Sequence, residues 1–274
     1  MRLHVDHRTD YVFSEPQRRL VQLLRVTPIN FAAQHVVDWH IDVDCDARLR
    51  NHRDGFGNHV TTLYIDGPIS NVALRVSGEV LTDDRSGMVE DAGERLPTQA
   101  FLRTTGLSRA DEAIRKFAKE IAKAKKDPLE RMHLLMARLL ERIHFEPTLD
   151  AVERDAATAF EASQGVCQDH AHIFCAAARA MGIPARYVSG HLFRRDGAEQ
   201  QEASHAWAEA CLPSIGWVGF DPANGISPDD AYVRTAIGLD YRDAAPIAGR
   251  RVGGGDESLS VDVRVTQAQS QSQN

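Results

Sequence analysis

Gly165-Val166-Cys167-Gln168-Asp169-His170-Ala171 is the stretch on which the reading of this chain turns. A glycine-containing turn runs into Cys167. The apolar spacing that follows, through Ile173-Phe174-Cys175-Ala176-Ala177-Ala178 to Met181, predicts a helix that Cys167 opens. Gly182-Ile183-Pro184 ends it, with glycine just past the last turn and proline two residues on. A thiol at a helix N-terminus meets the positive end of the helix dipole and backbone N–H groups that lack partners. Both favour thiolate over thiol. The same N–H groups, that of Cys167 included, suit the oxyanion formed when sulfur attacks a carbonyl. Gly165 lets the chain approach closely in front of the sulfur.

A cysteine nucleophile needs an imidazole that takes its proton and later hands one to the leaving amine. His205 fills that place, in Ser204-His205-Ala206-Trp207-Ala208-Glu209-Ala210 at the start of a predicted strand. The imidazole in turn needs an acceptor that fixes its tautomer. Asp221 ends Gly216-Trp217-Val218-Gly219-Phe220-Asp221, a second apolar strand. If the two strands are antiparallel neighbours, the start of one lies beside the end of the other, and His205 meets Asp221. Other readings compete at each residue. Cys167 could be a buried helix-start thiol, as mid-helix Cys175 is read to be. Cys45 and Cys211 are read as strand-context fillers. His170 and His172 sit two apart and share no helix face, so a metal site with Cys167 is incomplete. Asp169 reads as a helix-start acid, Gln164 and Gln168 as solvent amides, and Trp207 and Tyr187 as packing residues. His35, His40, His52 and His59 read as exposed.

Four blocks taken together resemble the bacterial transglutaminase-like superfamily: the cysteine stretch, Gly182-Ile183-Pro184-Ala185-Arg186-Tyr187-Val188-Ser189-Gly190, Ser204-His205-Ala206-Trp207, and Gly216-Trp217-Val218-Gly219-Phe220-Asp221-Pro222. They stand in the family's order and span roughly residues 128–225. The resemblance implies a papain-like α+β core, with the Cys167 helix packed on an antiparallel sheet that carries His205 and Asp221. It also implies a thioester at Cys167. The acyl donor would be a protein or peptide amide, and an amine or water the acceptor. A cysteine peptidase or amidase of the same fold is the second reading. A non-enzymatic binding scaffold is the third. The large eukaryotic members place a tryptophan ahead of the cysteine, as an oxyanion donor. Here the tryptophans are Trp39, Trp207 and Trp217, and Ile143-His144-Phe145-Glu146-Pro147 occupies the approximate place. No acidic calcium loop is present in the sequence, so no metal and no cofactor is called for.

Residues 1–105 read as a β-rich domain resembling the N-terminal domain attached to such cores. Val37, Trp39, Ile41 and Val43 alternate with polar neighbours, Asp54-Gly55 marks a turn, and Val60–Ile65 and Val72–Leu81 follow as strands, which together suggest a β-sandwich. Residues 106–250 form the catalytic core. It opens with a helix over Arg109–Lys125 capped by Ser108, and a second after Asp127-Pro128. In the tail, 251–274, Val261–Val265 alternates as a last strand and Gln267–Asn274 reads as disordered. The fold class expected is therefore α+β. The chain has 274 residues, 43% of them hydrophobic and 26% charged, which suits a globular protein. A net charge of −7 gives no basic face for nucleic acid, and no apolar run is long enough for a bilayer. Cytoplasmic residence is the default expectation. The composition leaves the oligomeric state open.

Overall fold

The computed structural model describes residues 1–147, 154–198 and 200–268. Two antiparallel sheets organise the chain. The first is built on two very long strands, β1 (Arg2–Leu24) and β4 (His59–Thr82), with β2 (Gln34–Val43) and β3 (Arg48–Arg53) paired to β4. Apolar and polar residues alternate along β1, so one face is buried and the other wet. Its register with β4 breaks between Val12 and Gln17, where Pro16 cannot donate to a ladder, and again before Arg19. The halves on either side of the break share one core, in which Tyr11, Phe13 and Leu74 meet Leu20, Leu24 and Leu63. The break is what lets a single sheet cover itself. The alternation read in β2 also needs one correction. Val37, placed inward by the pattern, is 46% exposed, because the register with β4 shifts between Val36 and Asp38.

The second sheet carries the site. After the two-residue strand β5 (Met88–Val89) and a 3-10 turn at Thr98–Leu102 come α1 (Glu112–Ala124) and α2 (Pro128–Arg142). Asp127 caps α2 by accepting from Glu130 N at 2.9 Å, as Asp-Pro predicts. The cap of α1 is Asp111, whose carboxylate accepts from Ile114 N at 2.8 Å. Ser108 is instead buried and accepts from the Arg179 guanidinium at 2.6 Å. An aspartate three residues later outcompetes the serine because Ser108 faces the core. Next come β6 (His144–Phe145), α3 (Ala156–Ala162), β7 (Gln164–Gly165) and α4 (Cys167–Ala180). The strands β8 (Ala185–Leu192), β9 (Gln200–Gln201), β10 (His205–Leu212), β11 (Gly216–Phe220) and β12 (Tyr232–Gly238) follow. The sheet order is β12-β8-β10-β11-β5, antiparallel throughout.

Alternation along β10 separates two environments. Ala206, Ala208, Ala210 and Leu212 face α4, where small side chains allow close helix packing against Phe174 and Phe220. Trp207 and Glu209 face the other way. There Arg186, wholly buried, bonds Glu209 at 2.5 Å and Glu94 at 2.6 Å, and its guanidinium lies 3.8 Å over the Trp217 ring. Arg234 takes the second Glu209 oxygen at 2.8 Å.

The open edge of β12 is closed by the N-terminal sheet. Gln34 accepts from Arg234 N at 2.8 Å and donates to Arg234 O at 2.9 Å. Asn58 does the same for Ile237, both bonds at 2.8 Å. Two side-chain amides thus stand in for a missing neighbour strand. After α5 (Tyr241–Ala244), β13 (Ile247–Val252) and β14 (Glu257–Gln267) return to pair with β1. The sequence division at 250 therefore falls inside a stretch that rejoins the first sheet, and Val261–Val265 is a strand of that sheet. Residues 269–274, most of the stretch read as disordered, lie outside the described residues. Among the described residues, no helix is long and apolar enough to cross a membrane.

Candidate active site

The chain reaches Cys167 through a tightly tied corner. Ser163 adopts a left-handed conformation (φ 54°), and β7 runs parallel to β6. His144 N donates to Ser163 O and Glu146 N to Gly165 O, both at 3.0 Å. Val166 caps α4 but has no polar side chain, so the reciprocal half of the cap does the work: Asp169 turns back and accepts from Val166 N at 2.9 Å. Arg154 closes on the same Asp169 oxygen. A Cβ on residue 165 would stand 2.7 Å from Asp169 Oδ2, so only glycine lets the corner close. The ring nitrogens of His170 lie 3.0 Å from Val166 O and 3.2 Å from Ile143 O, bracing the corner from below. Cys167 is left half-buried, as the first residue of α4, with its sulfur toward β10.

His205 opens β10, opposite Gly190 of β8. A Cβ at Gly190 would come within 2.6 Å of the Trp207 ring, and that ring lies near-parallel to His205 with centroids 6.2 Å apart. Antiparallel pairing of Ala208 with Phe220 brings Asp221, the next residue, level with the start of β10. The contact is direct: His205 Nε2 to Asp221 Oδ2 is 2.6 Å, with Asp221 fully buried. Asn224 Nδ2 lies 3.4 Å from the same Nε2, and Cys167 stands near enough to act on the ring electrostatically. Burial alone would pull the His205 pKa down. It is overcome by the charge and hydrogen bond of Asp221 and by Cys167, and the value is raised to about 10. Burial likewise pushes Asp221 upward, and His205, Asn224 and Tyr232 together bring its pKa below the ordinary carboxylate value.

The three residues chosen from sequence are thus brought together at one end of the sheet. The pattern did not single out Asn224 and Tyr232, whose side chains donate to Asp221 Oδ2 at 2.7 and 2.8 Å. Asn224 was within reach, three residues beyond Asp221 in a turn of Asp-Pro-Ala-Asn type. Tyr232 lies on β12, which carried no local signal linking it to the site. Cys175 is fully buried, and burial pushes its pKa up to about 11, in keeping with a core role. Cys45 is exposed in a turn beside Asp44 and Asp46 rather than packed. His172 turns away from Cys167 and accepts from Tyr241 N at 3.0 Å. Trp207 and Tyr187 are both buried. Among the described residues, no group of three or more His, Cys, Asp or Glu side chains is arranged to hold a metal ion. On the face of the sheet away from α4, a cleft of about 40 Å³ lies between Trp207, Tyr232, Arg234, Phe31 and Met88. That is room for a few waters, since one needs ~10–15 Å³, and not for a peptide.

Comparison with known proteins agrees with this architecture. Residues 115–222 match the model of the transglutaminase-like superfamily core, and residues 3–81 that of the bacterial transglutaminase-like N-terminal region. An uncharacterised protein of Mycobacterium leprae is 28% identical over 97% of this chain and 98% of its own length. A protein-glutamine gamma-glutamyltransferase of Pseudomonas aeruginosa is 31% identical over 39% of this chain and 19% of its own length. The crystal structure of a candidate cysteine protease from Cytophaga hutchinsonii superposes with a TM-score of 0.80 at 19% identity, covering 98% of this chain and 91% of that one. Both halves of the molecule thus carry the family's parts in the family's order, and the chain belongs to the bacterial transglutaminase-like superfamily.

Proposed function

We propose that this protein is a cysteine enzyme that opens a protein or peptide amide through a thioester on Cys167, with His205 and Asp221 completing the triad. The observation that carries the reading is the direct contact of His205 with a fully buried Asp221, at the end of the sheet on which the helix opened by Cys167 packs. The chemistry begins with the proton of Cys167 passing to His205. The thiolate attacks the amide carbon, a C–S bond forms, and the carbonyl oxygen becomes an oxyanion facing the α4 N-terminus. The imidazolium gives its proton to the leaving nitrogen as the C–N bond breaks. Neutral His205 then takes a proton from water or an incoming amine, which attacks the thioester and frees Cys167. Asp221 holds the ring in place and balances its charge throughout.

The two outcomes, transfer to an amine and hydrolysis, share every step up to the thioester. The direct test is ammonia release from a glutamine-containing peptide, with and without a labelled primary amine. Ammonia release with label incorporated is the transferase result. Ammonia release or chain cleavage without label is the amidase or peptidase result. Turnover that persists in Cys167→Ala would contradict the proposal in either form.

A further inference from the structure

The Asp221 carboxylate is held far more firmly than contact with one imidazole requires. Its Oδ1 accepts from the backbone N–H groups of Ala223 and Asn224 at 3.0 and 3.2 Å. Its Oδ2 accepts from His205 at 2.6 Å, from Asn224 Nδ2 at 2.7 Å and from the Tyr232 hydroxyl at 2.8 Å. Three donors therefore share the one oxygen that holds the imidazole. Two of them come from different parts of the fold, Asn224 from the turn after β11 and Tyr232 from β12. Tyr232 is buried, its ring edge-on to Trp207 at 5.4 Å and 5.9 Å from the His205 ring. Burial and the Asp221 charge both raise its pKa, so the phenol stays protonated and can only donate to the carboxylate.

We propose that Tyr232, seconded by Asn224, is a positioning residue that fixes Asp221 against His205 and limits how tightly His205 keeps its proton. The proposal rests on the triad reading above and adds its regulation. Hydrogen bonds from the phenol and the amide spread the charge of Oδ2, so the carboxylate pulls less strongly on the imidazolium. That matters at the step where His205 must release its proton to the leaving nitrogen, because an acid held too firmly is a poor donor. It also gives β12 a functional reason to be locked in place. The strand that brings Tyr232 to Asp221 is the one whose outer edge is tied down by Gln34 of β2 and Asn58 of the turn before β4. The N-terminal domain thus reaches the triad through two residues of one strand.

The test uses the full chain and the variants Tyr232→Phe and Asn224→Ala, with Tyr11→Phe as a control. Tyr11 is a buried phenol in the N-terminal core, away from the site. Two readouts are followed: the titration midpoint of the His205 imidazole by NMR on histidine-labelled protein, and the alkaline limb of ammonia release from a glutamine peptide. Tyr232→Phe keeps the ring packing and removes only the donor. It is expected to move both upward by about half to one pH unit and to lower kcat about tenfold with little change in KM, the size typical of one charge-assisted bond. Asn224→Ala, at an exposed position, is expected to shift both in the same direction, while Tyr11→Phe leaves them in place. An unmoved His205 midpoint in both site variants, whatever happens to thermal stability, would overturn the proposal. The NMR midpoint needs no substrate. A shifted midpoint in a protein that releases no ammonia would therefore sink the acyl-transfer reading and leave this one standing.

Discussion

Two buried carboxylates sit on the second sheet, and their partners set them apart. Glu209, on the face away from α4, is clamped between the guanidiniums of Arg186 and Arg234, and Arg186 is clamped again by Glu94. Burial pushes the Glu209 pKa up, but the two arginines overcome it and bring it below its usual value. An arginine stays charged at any accessible pH, so this cluster has one protonation state and nothing to exchange. Asp221, at the end of the sheet, is paired with an imidazole and, in the proposed triad, through it with a thiol. Every member after the carboxylate can gain or lose a proton. The same physical device, a buried charge held by hydrogen bonds, makes a rivet in one place and, in the proposed mechanism, a proton relay in the other.

Breaking each cluster should therefore fail differently. Cys167→Ala is expected to reduce amide turnover by about four orders of magnitude or more while leaving the fold intact, as judged by thermal melting. Asp221→Asn should lose ~10²- to 10⁴-fold in kcat, because the ring loses both its tautomer control and its counter-charge. Glu209→Gln is the converse case. It strands two buried guanidiniums, should cost roughly 3–5 kcal/mol of stability, and should lower the melting temperature by ~10 °C, with activity per folded molecule largely kept. A Glu209→Gln protein that melts normally would undo the contrast.

The pH dependence of stability sharpens the same contrast. His205 has a raised folded-state pKa, so its contribution is fully present below its unfolded value of ~6.5 and is lost as pH rises toward 10. His7 and His191 behave oppositely. Their rings meet edge-on at 5.5 Å between β1 and β8, and burial depresses their pKa values to about 4 and about 3. Their contribution is present above ~6.5 and is lost as pH falls toward 4, because the unfolded chain then binds more protons. Urea melts between pH 4 and 6.5 should show stability falling on acidification, and a His7→Leu/His191→Leu double variant should flatten that slope. A smaller effect separates the thiols. At pH 6, Cys45 should react with iodoacetamide more slowly than Cys167 despite its exposure, because burial and the charges of Asp44 and Asp46 raise its pKa.

The core of the site was legible because its pieces are local. A short return between β10 and β11 is enough to place Asp221 beside His205, whereas Cys167, at a helix start that could equally hold a buried thiol, is singled out only together with those two residues and the blocks around them. The parts that were not legible depend on long-range pairing. Tyr232 reaches Asp221 only because β12 lies at the far edge of a sheet whose order departs from chain order. Val37 reads inward but is exposed, because a bulge has no signature in an alternating pattern. Ser108 reads as a cap because sequence carries no record of which way a side chain faces, and Arg179 claims it. The last strands, β13 and β14, rejoin β1 across more than two hundred residues, a contact no window could contain.

The most direct probe of the triad is the rate of iodoacetamide alkylation of Cys167 at pH 6, read by peptide mass spectrometry in the wild-type chain and in His205→Ala. Sulfur that has given its proton to His205 should alkylate quickly in the wild type and at least tenfold more slowly once the imidazole is gone. Equal rates in the two proteins would mean that Cys167 and His205 share no proton, and the proposed chemistry would not stand.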